Sequence, residues 1–208
     1  MIHFFKDGDP GYSYESSWEK CVGNMEWMEW NSSNLPYKEY PILEKYADKK
    51  EWSILSDFVR RWAILKYGGV YLDLDIELIK PIDHVFNFES FVCIEGPPAF
   101  ANMAVSGGKK GNNHHKVMLD MYLDVISGNR NYSVPIQAAC GPWVTTDYVV
   151  SLKGKPLDDV DMYIMNDFDG LVTLPKSCFF PFNWNEKYDV SCIKDNTYGI
   201  HWWKKGWS

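Results

Sequence analysis

The sequence predicts an α/β fold, and three observations carry that prediction. From Ile54 to Tyr67, the residues Ile54, Phe58, Trp62 and Leu65 recur at spacings of four, four and three, forming the single apolar stripe of an amphipathic helix. Gly68-Gly69 follows at once, and behind it comes Val70-Tyr71-Leu72, a β-branched and aromatic strand. The exchange of helical and strand patterns then repeats along the chain, as it does where helices pack on a sheet.

Taken in order, Met1-Ile2-His3-Phe4-Phe5 reads as a first strand ending in the turn Lys6-Asp7-Gly8. Residues 12–50 mix Trp, Tyr and charge with Pro36 and Pro41, and read as short helices joined by turns. Ser53 or Ser56 is placed to cap the helix at 54–67, and the glycine pair to end it through a left-handed C-cap. Leu74, Ile76 and Leu78 continue the apolar alternation until Pro81 stops it. Phe91–Ile94 is a buried-strand pattern broken by Gly96-Pro97-Pro98, and residues 100–106 form another before a Gly- and Lys-rich turn. His114–Ile126 is helical in pattern, with Val117, Met121 and Tyr122 among its apolar positions. Gly141-Pro142 opens a further helix through Val150, and Leu171–Leu174 is a short strand. The pairs Lys109-Lys110 and His114-His115 read as surface loop with no role. The tail, Tyr198-Gly199-Ile200-His201-Trp202-Trp203, carries too many aromatics to be left frayed.

The 208 residues favour one domain, 1–208, standing alone or forming one part of a longer protein. A net charge of −7 without a basic run excludes a nucleic acid polymer as partner, yet leaves room for a nucleotide whose few phosphates meet a cation. Ten Trp, 13 Tyr and 11 Phe can stack on sugars and bases as well as fill a core. Cys21, Cys93, Cys140, Cys178 and Cys192 are odd in number and lack a C-x-x-C pair, which argues against a disulfide framework or structural zinc. No apolar run approaches the roughly 18 residues of a membrane span. The start lacks a basic segment followed by a long apolar core, so no signal peptide is read. The expected location is therefore the cytoplasm, of a bacterium or of a virus-infected host cell.

Chemistry concentrates in Asp73-Leu74-Asp75, just beyond the Val70–Leu72 strand. In an extended chain alternate residues face one side, so both carboxylates point one way while Leu72 and Leu74 enter the core. Two carboxylates on one side repel unless a cation lies between them, and hard oxygen ligands suit Mg²⁺ or Mn²⁺. Asp57 and Arg60 are one helical turn apart and share a face, where an arginine can meet a phosphate or a sugar hydroxyl.

These residues carry a resemblance. Ser56-Asp57-Phe58-Val59-Arg60 through Tyr67-Gly68-Gly69-Val70-Tyr71-Leu72-Asp73-Leu74-Asp75 resembles the "SD-x-x-R … YGG-x-YLD-x-D" block of the DXD sugar-transferases. That family includes bacterial capsular-polysaccharide transferases, yeast mannosyltransferases and, more distantly, the glucosylating clostridial toxins. Lys80-Pro81-Ile82-Asp83 is similar to the "L-K-P-L-D" that commonly follows, and Tyr198–Trp203 with Trp207-Ser208 to the closing "Y-A-I-H-H-W … S-W". One histidine of the His-His-Trp is replaced by Trp202.

The resemblance implies a GT-A fold, one Rossmann-like domain whose central mixed sheet is flanked by helices. It implies a nucleotide-sugar donor, with UDP-hexose favoured over GDP-mannose or a nucleotide deoxysugar, and a glycan, glycoprotein or lipid acceptor. Asp75 is implied as a direct metal ligand, Asp73 as a ligand or ribose contact, and His201 as the residue completing the shell; its imidazole favours Mn²⁺ over Mg²⁺. Arg60 is implied beside the developing charge, with Asp57 and Gly69 at the donor. Trp203 and Lys204 are implied at the diphosphate, His3-Phe4-Phe5 beside the base, Asn102 facing the sugar, and Asp147 near donor and acceptor. A retaining course is expected; an inverting one needs a base such as Asp147 or Glu95. Two other readings stand beside it: a non-catalytic sugar-binding module, and a haloacid-dehalogenase-like phosphatase. The phosphatase would use Asp73 as nucleophile, with Lys153 or Lys155 and Asp158-Asp159. A calcium loop fails, because Leu78 stands where glycine is required.

Overall fold

Four consecutive buried residues, Ile2–Phe5, make the first strand (β1) of a computed structural model that describes residues 1–8 and 14–204. After helix α1 (Glu15–Cys21), β2 (Trp27–Trp30) pairs parallel to β1. Helices α2 (Ile42–Asp48) and α3 (Trp52–Tyr67) then lead to β3 (Gly69–Leu72), parallel to β1 on its other side. The chain leaves the sheet through β4 (Ile76–Leu78) and returns as β5 (Ser90–Glu95) and β6 (Phe100–Gly108), which run antiparallel. Helix α4 (Asn113–Ile126), the one-turn α5 (Ile136–Ala138), a wide turn at Ala139–Trp143 and helix α6 (Val144–Lys153) follow. Strands β7 (Asn166–Phe168) and β8 (Leu171–Leu174) complete a seven-stranded mixed sheet in the order β2-β1-β3-β6-β5-β8-β7. A last strand, β9 (Gly199–His201), pairs with β4 in a separate two-stranded ribbon.

Strand alternation sorts the core into two faces. Ile2, Phe4, Val70 and Leu72 join Trp18, Phe91, Phe179 and Phe180 on one side. Phe5 and Tyr71 turn to the other, against Ile54, Phe58 and Trp62 of α3 and Tyr122 of α4. Val92, Ile94, Ala101 and Met103 continue a buried layer with Met118 and Val149. The predicted α/β class with a central mixed sheet between helices is what the chain adopts. No helix among the described residues is long and apolar enough to cross a membrane.

Several local readings change. Trp27–Trp30 is a strand inside a stretch read as short helices and turns; only Trp30 is buried, so four residues show no periodicity to find. Helix α3 starts at Trp52 after Glu51 with no side-chain cap, and the Ser56 hydroxyl donates instead to the Ser53 carbonyl at 2.9 Å. Gly68 has φ of 71° but ψ of 178°, so it turns the chain without forming a left-handed helical cap. Gly69 is needed for close approach, since a side chain there would strike the Met1 carbonyl.

The histidine pair is not surface loop. His114 and His115 are both buried in the first turn of α4, whose N-terminus Asn112 caps by accepting both of their backbone N–H groups. His114 bonds the Tyr148 hydroxyl and the Asp169 carbonyl, and His115 the Gly107 carbonyl at 3.0 Å.

His3 shows what such burial does to titration. The Trp30 indole can only donate and the Gly68 carbonyl only accept, so Nδ1 takes the Trp30 N–H at 3.2 Å and Nε2 donates to Gly68 at 2.8 Å. Both ring nitrogens are satisfied in the neutral form. Burial lowers both His3 and His115 to about 4. Between that value and the ordinary 6.5 the unfolded chain binds more protons, so stability rises with pH across this window and is lost as pH falls. Denaturant unfolding at pH 7 and pH 5 should show a loss on the order of 1–2 kcal/mol per histidine. A flat profile over that range would show that these rings protonate without cost.

Candidate active site

Strands β1 and β3 are parallel, so their C-terminal ends meet at one edge of the sheet, the usual place for a ligand crevice in α/β folds. Helix α3 feeds directly into β3, which brings its N-terminal half to that same edge. A cleft of about 370 Å³ opens there, with Phe5 and Asp7 from the end of β1, Ser53, Asp57 and Arg60 from α3, and Asp73 and Asp75 beyond β3. Gly141 and Pro142 form one wall, and His201, Trp203 and Lys204 another.

The two aspartates are not on an extended strand. Asp73 makes a last ladder bond, its N–H donating to the Ala104 carbonyl at 2.8 Å, and the chain then turns sharply. The Ile76 N–H closes that turn on the Asp73 carbonyl at 3.0 Å. The carboxylates therefore converge through a turn followed by a change of sheet, while Leu74 still packs in the core.

The ribbon supplies the third member. Register pairs Ile76 with His201, one residue beyond Asp75. The Asp75 carbonyl accepts the Trp202 N–H at 3.0 Å, and Asp75 Oδ2 accepts the Lys204 N–H at 3.0 Å. His201 Nε2 lies 3.1 Å from Asp75 Oδ1. One ligand atom from each of Asp73, Asp75 and His201 lies within 4.8 Å of the others.

Arg60 closes the grouping from α3. Its Nη2 donates to Asp73 Oδ1 at 2.9 Å, its Nε sits 3.4 Å from Asp57 Oδ1, and its plane lies over the Tyr71 ring. Burial alone would drive off its proton, but Asp73 and Asp57 overcome that and raise its pKa. Burial lifts Asp73 to about 6, with Arg60 pulling the other way. Asp75 is held below the usual carboxylate range because His201 and the Lys204 N–H outweigh burial, and His201 is raised in return.

Two carboxylates and an imidazole fit a divalent cation such as Mn²⁺ or Mg²⁺. The 3.1 Å between His201 Nε2 and Asp75 Oδ1 matches neighbouring ligands on a six-coordinate ion with bonds of about 2.1 Å. Asp73 Oδ1 holds Arg60, while Asp75 meets His201 through Oδ1 and the Lys204 N–H through Oδ2.

Of the residues named from sequence, Phe5, Asp57, Arg60, Asp73, Asp75, His201, Trp203 and Lys204 line the cleft. The remaining five stand away from it. His3 is locked between Trp30 and Gly68, and Phe4 faces the opposite core layer. Gly69 sits at the far end of β3. Asn102 bonds Glu95 Oε2 at 2.9 Å, and Asp147 pairs with Arg130 at 2.8 Å and the Tyr132 hydroxyl at 3.0 Å. Lys153 binds Asp161 and Asp158, and none of these lines the cleft, so the phosphatase arrangement is not assembled. Trp207 and Ser208 lie outside the described residues. Asp7, Gln137 and Trp184 line the cleft unannounced; only Asp7, directly after the first strand, had a positional signal.

Residues 9–92 match the family model described as a glycosyltransferase sugar-binding region containing the DXD motif. Over that stretch, well under half of its length, the chain is similar to the DXD sugar-transferases. Over 110 residues it is 27% identical to inositol phosphoceramide mannosyltransferase 3 of Schizosaccharomyces pombe, a stretch that makes up 52% of this chain but 30% of that protein. The solved structure of PaToxG glycosyltransferase superposes with a TM-score of 0.52 at 15% identity, covering 72% of this chain and 68% of that one. That likeness is one of fold.

The Arg60–Asp73 pair makes a direct prediction. In metal-free protein, Arg60→Met should destabilise by on the order of 2 kcal/mol, because Asp73 loses its partner while remaining largely buried. The double variant Arg60→Met/Asp73→Asn should recover most of that loss in a double-mutant cycle by chemical denaturation. Additive losses would show that the pair is not coupled.

Proposed function

We propose that residues 1–208 act as one catalytic domain that transfers a sugar from a nucleotide-sugar to an acceptor hydroxyl. The observation that carries this reading is the convergence of Asp73, Asp75 and His201 beside Arg60, in a cleft at the strand ends. Those three residues would hold a divalent cation, Mn²⁺ being favoured by the imidazole, and the ion would supply positive charge beside a departing diphosphate.

The protein's own groups do the rest. Arg60 lines the cleft with its charge held in place by Asp73 and Asp57, which sets a fixed cation where negative charge develops. Trp203 and Lys204 close the wall beside the metal ligands, and Asp57 can accept from sugar hydroxyls. UDP-hexose is the first donor class to test and GDP-mannose the second, the latter supported by the likeness to a mannosyltransferase. The acceptor is a glycan, glycoprotein or lipid hydroxyl. We read the course as retaining: of the bases that inversion could use, Asp147 is tied to Arg130 and Tyr132 and Glu95 to Asn102, and neither lines the cleft.

Calorimetry and thermal shift with UDP, GDP, dTDP and CMP, each with and without Mn²⁺, should find one nucleotide class that binds only with metal. Asp75→Asn should abolish that metal dependence and turnover while leaving the melting temperature within a few degrees. Binding of no nucleotide under any metal condition would overturn the transferase reading, and unchanged activity in Asp75→Asn would remove Asp75 from the metal site.

A further inference from the structure

Arg60 and Arg61 are neighbours with opposite surroundings. Arg60 lines the cleft; Arg61 is fully buried behind it, with its guanidinium over the Tyr122 ring. A buried arginine is costly unless its donors are used; Nε has no partner, and the donors on both terminal nitrogens are spent on one task. Nη1 donates to the Asp57 carbonyl at 2.6 Å and lies 3.6 Å from Asp57 Oδ1. Nη2 donates to the Cys140 carbonyl at 2.9 Å, the Gly141 carbonyl at 3.2 Å and the Thr145 hydroxyl at 2.8 Å.

One cation thus bridges the turn of α3 that carries Asp57 to the wall that carries Gly141. That wall needs a bridge. Gly141 breaks the helical path with φ of −79° and ψ of −114°, which leaves its own carbonyl and that of Cys140 free to converge on one donor. Thr145 returns a bond to the Gly141 carbonyl at 3.3 Å. The result sets Asp57 Oδ2 3.6 Å from where a Gly141 side chain would begin, so carboxylate and wall stand in contact, side by side in the cleft lining.

We propose that Arg61 is a positioning residue that fixes the Gly141–Pro142 wall against Asp57, and so shapes the part of the cleft that receives the transferred sugar. Its bonds go to Asp57, Cys140, Gly141 and Thr145, and none to Asp73, Asp75 or His201. This rests on the transferase reading, with Asp57 at the sugar. Loss of Arg61 therefore separates two properties. The Asp73–Asp75–His201 grouping, built from the β3 turn and β9, persists, while the sugar is held less well for departure.

The test compares Arg61→Lys, Arg61→Met and the milder Thr145→Val in the full chain. Mn²⁺-dependent binding of UDP and GDP is measured by calorimetry, and acceptor-independent hydrolysis of UDP-glucose and GDP-mannose by steady-state kinetics. Nucleoside diphosphate affinity should stay within about twofold, while kcat for hydrolysis of the accepted donor falls about tenfold or more in Arg61→Met. Arg61→Lys should recover part of that loss, and Thr145→Val should show the same split at smaller size. Wild-type turnover in Arg61→Lys and Thr145→Val, or a parallel fall of binding and turnover, would overturn the proposal. If Arg61→Met does not fold, Thr145→Val decides by the same criterion. Failure of the unaltered protein to bind or hydrolyse any nucleotide-sugar would instead overturn the transferase reading beneath it.

Discussion

The cleft depends on a charge arrangement that no single member could sustain: two guanidiniums on successive residues of α3, with the Asp57 carboxylate between them and Asp73 across from the outer one. Burial works against each charge taken alone. Pairing overcomes that cost for Arg60 and opposes it for Asp73 and Arg61, and each geometry follows from the pairing. Arg60 is drawn toward the β3 turn by Asp73, and Arg61 is held inward by backbone carbonyls. Asp57 is fixed from both sides. A helix that would otherwise present a flexible arginine to solvent presents a rigid one to the cleft, and a rigid donor loses less freedom when a ligand arrives.

The second anchor is backbone. Asp75 is gripped at its carbonyl by Trp202 and at its carboxylate by Lys204, so the position of the metal-ligand grouping is fixed by ribbon pairing rather than by side-chain rotamers. Aromatic packing supports the grip: Trp203 stands 4.1 Å from the His201 ring, and Phe180 meets the same ring edge-on at 5.3 Å. This accounts for part of the high aromatic content, which here fixes a tail in place.

Much of this was legible in the residues. The α3 stripe, the glycine pair and the Val70–Leu72 strand fall where the apolar pattern puts them, because each is long or apolar enough for burial to dominate. The Asp57–Arg60 pair is local and its helical spacing brings it together, whereas Asp73 and Asp75 converge through the turn that Ile76 closes. His201 could be linked to Asp75 only by resemblance, since no local pattern reports that β9 pairs with β4. What escaped was decided by distant contacts. Trp27–Trp30 is a strand because β1 needs a neighbour, and His3 is a core residue because Trp30 and Gly68 happen to satisfy both its nitrogens. Asp147 illustrates the reverse case: its motif context suggested the cleft, but Arg130 and Tyr132 hold it outside. Gln137, on the one-turn α5, and Trp184, in a loop, lie in no recognisable pattern, because chain path rather than periodicity brings them to the cleft.

The β4–β9 ribbon has a consequence for synthesis. Asp73 and Asp75 emerge early from the ribosome, whereas His201 and the Lys204 N–H come from residues made much later. A nascent or clipped chain ending ahead of residue 199 carries two crowded carboxylates and no imidazole. The grouping is thus assembled by the closing of the fold itself, and its completion reports that the polypeptide has been made through that point.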